Sequence, residues 1–352
     1  VTTTREKSSP FSRHIERLHA WRDFATRHEG LLWWLHSLYA LGLGVILMWL
    51  GARNFVWLRL AAVHIVVIWS ASLALANVIE RPGHDTVWWN RLRLVINYVT
   101  KNFYQQILFF ILPIYYGSAT AWSRNMWFVG LLATSAVIST LDIVYDRYLS
   151  KRRHFNALFF AFNLFSAMAV ALPILWGISN LSALRVASIA SVIGYVTIAR
   201  RPSELTKPRT WQASAAGAAL MLVALQFLLP YVPPAPLRLS DSEFSLGFDR
   251  RQFQALSPVT TVSQAWTGRL YVVTSLRAPL GLKDTVELRW YRGDRLVWVS
   301  RAVDVVGGRQ QGFRLWSAIT ITEASPPGPT RIDVVTEAGQ LIGRSSISVS
   351  TP

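Results

Sequence analysis

The chain's first 233 residues contain a series of apolar runs too long and too uncharged for helices in water. A bilayer's hydrocarbon core of about 30 Å needs roughly 20 helical residues, whereas a helix at an aqueous surface interrupts its apolar stripe with charge every turn or two. Leu31–Gly51 has no Asp, Glu, Lys or Arg, and Val56–Ile79 has only Arg59. Leu94–Gly117 is less clean, with Lys101, Asn102, Gln105 and Gln106 in its first half. Met126–Leu149 carries Asp142, Asp146 and Arg147 toward its end. Phe155–Gly177, Leu181–Ala199 (interrupted by Arg185) and Gln212–Val232 complete the series, and Pro230 and Pro233-Pro234-Ala235-Pro236 stop the last run. The pattern predicts a membrane all-α bundle of about seven transmembrane helices over residues 31–233.

Charge placement tests that reading. With 36 Lys and Arg against 19 Asp and Glu, the chain has a formal net charge of +17, although only 16% of its residues are charged. A basic excess suits a nucleic-acid binder or a membrane protein whose cytoplasmic loops are rich in Lys and Arg. Counted by connection, eighteen Lys and Arg fall on one set of alternate sides and four (Arg53, Arg59, Arg124, Arg185) on the other. This alternation places the N-terminus in the cytoplasm and everything after the seventh span on the opposite side, and it assigns no nucleic-acid partner. Tryptophans agree: Trp33, Trp34, Trp49, Trp57, Trp88, Trp89, Trp122, Trp127, Trp176 and Trp211 fall at or near the span ends, the depth that indole prefers.

Residues 1–30 form a cytoplasmic amphipathic segment. Phe11, Ile15, Leu18 and Ala25 share one helical face. Such a basic helix suits an anionic leaflet or the cytoplasmic ends of the bundle. No cleavable signal peptide is expected, because the first apolar run is too long and no small-residue cleavage site follows it.

After the proline-rich junction the periodicity becomes alternating, so residues 234–352 predict a small all-β, immunoglobulin-like sandwich domain exported to the periplasm. The expected strands are Arg269–Ser275, Thr285–Tyr291, Leu296–Val303, Phe313–Ile321, Arg331–Thr336 and Leu341–Val349, with Phe244–Phe248 and Val259–Trp266 as weaker candidates. Arg292-Gly293-Asp294 reads as a hairpin turn. With no cysteine in the chain, apolar side chains must hold this domain together, and Trp290, Trp298 and Trp316 are expected in its core or between its sheets.

Trp290-Tyr291-Arg292-Gly293, Phe313-Arg314-x-Trp316-Ser317 and the closing Val334-Val335-Thr336-x-x-Gly339-Gln340-x-Ile342-Gly343 sit behind a multi-pass half and a proline junction. In this the chain resembles a group of bacterial multi-pass inner-membrane proteins of unknown function with a C-terminal periplasmic β-domain. The resemblance covers the tail well and the membrane half in general form. It implies a bacterial inner-membrane location with a periplasmic tail, and it carries over no catalytic residue.

Candidate chemistry is sparse. All seven histidines precede residue 155, so the tail lacks both His and Cys. His36 and His64 are expected at depths differing by roughly 10 Å, too far apart to share one haem iron. No cofactor is expected. Charge inside the bilayer is the sharper signal. Asp142 and Asp146 share a helical face, and Lys101, beside Asn102, is expected at a similar depth, so an Asp142–Lys101 contact is the specific expectation. Either a static ion pair or a proton- or cation-coupled site accounts for it. Two functional readings follow. The first is a non-enzymatic adaptor, embedded in the lipid bilayer, whose β-domain meets a protein complex or cell-envelope component. The alternative is a transporter or lipid-handling protein that uses the polar intramembrane residues.

Overall fold

The computed structural model describes residues 28, 31, 35, 38, 39, 42, 46, 49, 63, 107–140, 152–200, 207–263, 265–325 and 328–350. Among them are five helices followed by a β-rich region, the order that the sequence predicts. The helices are α1 (Ile107–Ser118), α2 (Met126–Thr140), α3 (Arg153–Trp176), α4 (Asn180–Ala199) and α5 (Pro208–Leu228), the last running into a 3-10 turn at Leu229–Tyr231. By length and composition, α3, α4 and the Pro208–Tyr231 stretch could each cross a membrane, against the seven spans predicted. The predicted spans Leu31–Gly51 and Val56–Ile79 lie outside the described residues except at isolated helical positions.

Local chemistry sets the helix limits. The C-cap of α3 is Gly177 at φ 65°, whose N–H donates to the Pro173 carbonyl at 3.0 Å. This left-handed position favours glycine. Ser179 caps α4, its Oγ accepting the Ser182 N–H, and α5 opens on Pro208, where a missing N–H costs nothing. α3 and α4 pack closely because α4 turns small residues to its neighbour: Ala183, Ala187, Ser191 and Gly194 follow at helical spacing. A β-carbon at Gly194 would lie 2.7 Å from the Phe160 ring. Small residues of this kind let helix backbones approach. By contrast, α5 buries none of its side chains, and Leu220 and Phe227 are among its exposed apolar residues.

Eleven strands follow among the described residues. β1 (Arg238–Ser245), β5 (Gly268–Arg277) and β9 (Phe313–Ile321) form a three-stranded sheet in the order β1-β5-β9. A six-stranded sheet runs β4-β11-β10-β6-β7, with β8 also on β6. Its members are β4 (Thr261–Ser263), β6 (Lys283–Arg292), β7 (Arg295–Val299), β8 (Val303–Val306), β10 (Thr330–Thr336) and β11 (Leu341–Ser350). β2 (Phe248–Asp249) and β3 (Gln254–Ala255) pair as a small hairpin. The two larger sheets share one core: Leu270, Val272, Leu276, Leu315 and Ile319 from one meet Val286, Leu288, Trp290, Ile332 and Val334 from the other. Trp290 is fully buried, its Nε1 donating to Ser317 Oγ at 2.9 Å.

Three sequence expectations change. The predicted strand Leu296–Val303 is two strands, β7 and β8, which pair with the two halves of β6. The break falls at Ser300, whose N–H donates to the Leu288 carbonyl while its Oγ accepts the Leu288 N–H. Trp298 is 43% exposed instead of buried, because β7 is a sheet edge beyond the reach of the narrower sheet. Trp316 is half-buried on the outer face of the three-stranded sheet, stacked on Phe248 at 4.6 Å. The Arg292-Gly293-Asp294 tripeptide is the expected hairpin turn, joining β6 to β7.

This contrast is testable. Trp290→Ala should cost about 3–5 kcal/mol, since it opens a cavity and strips Ser317 of its donor. Trp298→Ala should stay within about 0.5 kcal/mol of the parent. Unfolding of both variants in detergent, followed by near-UV circular dichroism, measures the difference.

Candidate functional site

Three separated points tie the β-rich region to the helices. Before α2, Asn125 Nδ2 donates to the Leu341 carbonyl at 3.0 Å, while its Oδ1 accepts the Thr120 N–H and the Ser123 hydroxyl. At the start of α4, the Asn180 N–H and Nδ2 both donate to Asp284 Oδ2, at 3.2 and 2.8 Å. After α5, Gln340 Nε2 donates to the Val232 carbonyl at 2.9 Å. Beside the second point Gly177 meets Gly281 so closely that a β-carbon would lie 2.5 Å from the Gly281 carbonyl oxygen. Gly177 is therefore required twice, by its φ and by this contact.

The linking segment is itself packed. Val232 to Ala235 and Leu237 are buried. Ala235 belongs to the helical core and Leu237 to the sheet core, two residues apart, and Ala338 packs back on the helices. The start of α2, the α3–α4 connection and the end of α5 therefore all present the same end of the helical region to the β-domain.

Asp284 is the charged centre of this clamp, 4% exposed. Burial pushes its carboxyl above the ordinary carboxylate range of about 3.9. The Asn180 side chain, the Asn180 N–H and the Thr285 N–H oppose that shift, and nearby Glu337 adds to it. The start of α4 also offers the positive end of its helix dipole.

The β-domain exposes two unlike faces. On the edge strand β7, all five residues are exposed, including Leu296, Val297, Trp298 and Val299. On the outer face of the three-stranded sheet, the β2–β3 hairpin lays Phe248 against Trp316 and Tyr271, with ring centroids at 4.6 and 6.0 Å. Arginines cover these rings: Arg250 lies 5.6 Å over Trp316 and Arg269 5.4 Å over Tyr271. Next to them, a cleft of about 660 Å³ opens between Gln252–Phe253 and the loop carrying Arg309 to Arg314.

The residues singled out in the sequence, Asp142, Asp146, Lys101 and Asn102, lie outside the described residues, as do His36 and His64. His154 is described, with Nδ1 3.1 Å from the Tyr195 hydroxyl, and both line an apolar cavity of about 620 Å³ between α3, α4 and α5. A second cavity of about 300 Å³ lies higher along α5, and the two share Leu158 and Met221. Among the described residues no three His, Cys, Asp or Glu side chains gather as a metal site would need. Sequence reasoning missed the clamp. Its one legible signal is Asp284, which falls in step with Val286, Leu288 and Trp290 on the inward face of β6.

Two outcomes are expected of the clamp. The folded state holds the Asp284 proton more tightly than the unfolded chain, so stability should fall as pH rises from about 3.9 through the raised folded value and then level off. Asp284→Asn should remove that slope. Asn180→Ala, which removes the Nδ2 donor and leaves only the backbone N–H on that oxygen, should weaken the clamp by about 1–3 kcal/mol. Unfolding across a pH series and hydrogen exchange at Leu282 to Thr285 measure the two effects.

No curated protein matches the chain. Among solved structures, the Pseudomonas fluorescens alkylpurine DNA glycosylase AlkC, bound to DNA containing an abasic site analogue, is similar at 10% identity and a TM-score of 0.23. That match covers 85% of this chain and 98% of the glycosylase, and at such a TM-score it carries no argument about fold or chemistry. Residues 283–349, from β6 into β11, match a protein of unknown function, DUF2914. A second match spans residues 11–271, through the helices and into β5, so the two meet inside the β-rich region and not at the proline junction. Residues 11–271 are most of the chain, which therefore belongs to the family of unknown function DUF5924.

Proposed function

We propose that this is a multi-pass inner-membrane protein of about seven spans that holds an immunoglobulin-like β-domain rigidly against the periplasmic face, as a non-enzymatic adaptor. The observation that carries the reading is the clamp. Counting Lys and Arg alone assigns the connection around Arg124, the connection between α3 and α4, and the chain after α5 to one side of the membrane. Among the described residues, those three connections touch the β-domain, through Asn125, Asn180 and Val232. Charge bookkeeping and hydrogen-bond geometry are independent, and they converge on one end of the helices.

Exposure supports a lipid setting. Leu131, Ile189, Ile193, Leu220 and Phe227 would form costly apolar patches in water, and Trp122, Trp127 and Trp176 stand exposed at the clamped end, with Trp211 at the other. The recognition surface of this adaptor is the β7 edge. Its free backbone groups and the exposed Leu296 to Val299 side chains suit an extended segment of a protein partner, added as a further strand. The lipid-handling alternative draws on the apolar cavities along α5, where a chain of lipid dimensions could lie between helices.

The chain lacks cysteine, so single cysteines report topology cleanly. In intact cells with a permeabilised outer membrane, Thr322→Cys should react with an impermeant maleimide and Ser8→Cys only after lysis. The reverse pattern sinks the orientation. Val297→Pro, which bars strand addition at β7, should abolish a stoichiometric co-purifying partner while leaving Thr322→Cys labelling intact. An unchanged partner removes the edge from the proposal.

A further inference from the structure

We infer that the cleft beside the β2–β3 hairpin binds the phosphate of an anionic phospholipid headgroup, in the leaflet on which the β-domain stands. This rests on the membrane reading above and adds to it a second, lipid-facing site.

The lining has the right donors. Arg309 and Arg314 flank the cleft, and Gln252, Gln310 and Gln311 supply amides, while no carboxylate lines it. Arg309 lies extended over the Phe313 ring at 4.8 Å, and Arg314 Nη1 reaches the Phe253 carbonyl at 3.5 Å. Neither guanidinium pairs with a carboxylate among the described residues, nor do Arg250 and Arg251 of the adjoining hairpin. The nearby acid, Asp249, is engaged by its own hairpin, accepting the Arg251 and Gln252 N–H groups at 2.7 and 3.3 Å. Arginine's planar fork matches phosphate oxygens two at a time, and amides suit the hydroxyls of a glycerol headgroup.

Location decides between a lipid and a dissolved anion. The loop that carries Arg309 is fixed to the turn after β5: the Gly307 N–H donates to the Leu282 carbonyl at 2.9 Å, and the Gly308 N–H to the Ala278 carbonyl at 3.0 Å. A β-carbon at Gly312 would lie 2.9 Å from the Leu276 carbonyl oxygen. That same turn carries Gly281, which abuts Gly177 at the end of α3. Two successive backbone contacts thus set the arginine cleft at the helix-end side of the β-domain, the level of headgroups if α3 crosses the bilayer. The apolar β7 edge, by contrast, pairs with the far half of β6.

The test uses the full chain in nanodiscs of phosphatidylcholine alone or mixed with phosphatidylglycerol, followed by hydrogen exchange. Amides of Gln252, Phe253 and Gln310 to Gly312 should exchange about fivefold or more slowly in the anionic discs, as binding to the folded state dictates. The double variant Arg309→Gln/Arg314→Gln should erase that difference while leaving exchange at Asp284 and Thr285 unchanged, which separates lost binding from lost folding. Equal exchange in both discs overturns the inference. So does equal protection in neutral discs on adding soluble glycerol phosphate, which would make the site one for a dissolved anion. A chain that enters neither disc defeats the membrane reading itself, whereas insertion with lipid-indifferent exchange defeats this inference alone.

Discussion

Asp284 accepts two hydrogen bonds from Asn180 at the first turn of α4, in a place that water scarcely reaches. A carboxylate buried there without donors would be expelled or neutralised, so the contact forms only when sheet and helix are in register with one another. Around it, Gly177 and Gly281 approach within a distance that no side chain would allow, and Gln340 holds the last helical turn by its Val232 carbonyl. The clamp is polar at its contact points and apolar between them. Such an arrangement fixes orientation more strongly than it adds stability, because each donor fits only one placement of its acceptor.

That fixed orientation gives the two exposed faces their meaning. A β-domain on a free tether would present every surface to every partner, and an arginine cleft or an apolar edge would carry no direction. Held at three points, the sheets keep the β7 edge on the half of β6 remote from the helices and the Arg309 loop on the half beside them. The narrow three-stranded sheet leaves β7 uncovered, and the β2–β3 hairpin folds over its outer face, stacking Phe248 on Trp316. One asymmetry of sheet width therefore produces both an apolar rim and a structured cationic face.

The sequence foretold what depends on periodicity and little of what depends on pairing. α3, α4 and α5 begin and end within a few residues of their expected limits, because Gly177, Ser179 and Pro208 are local signals for a helix boundary. Alternation also located most long strands, and Trp290 is in the core as expected. It failed at Leu296–Val303, where a continuous apolar stretch is cut by a non-local exchange of hydrogen bonds between Ser300 and Leu288. Trp298 failed for a related reason: periodicity says which way a side chain points, and not whether another sheet stands opposite. The clamp was hidden because Asn125 and Gln340 are ordinary loop residues, and Asn180 an ordinary first residue of a helix, until a partner from 100 or more positions away arrives.

Asp284 is the exception, and it shows how such a residue can be read. Its spacing puts it on the same face as Val286, Leu288 and Trp290, at the first inward position of β6. A carboxylate there must either face solvent at the strand's end or meet donors from another element. Asp284 is buried and accepts two hydrogen bonds from Asn180, so the second condition holds. A helix N-terminus supplies what the site lacks, namely unpaired N–H groups and a favourable dipole, with no need for a buried cation. The same reasoning explains why the chain needs no cysteine here. A disulfide would join two points, whereas the carboxylate and its flanking glycines fix position, angle and spacing together, and they do so in a contact whose strength responds to proton concentration.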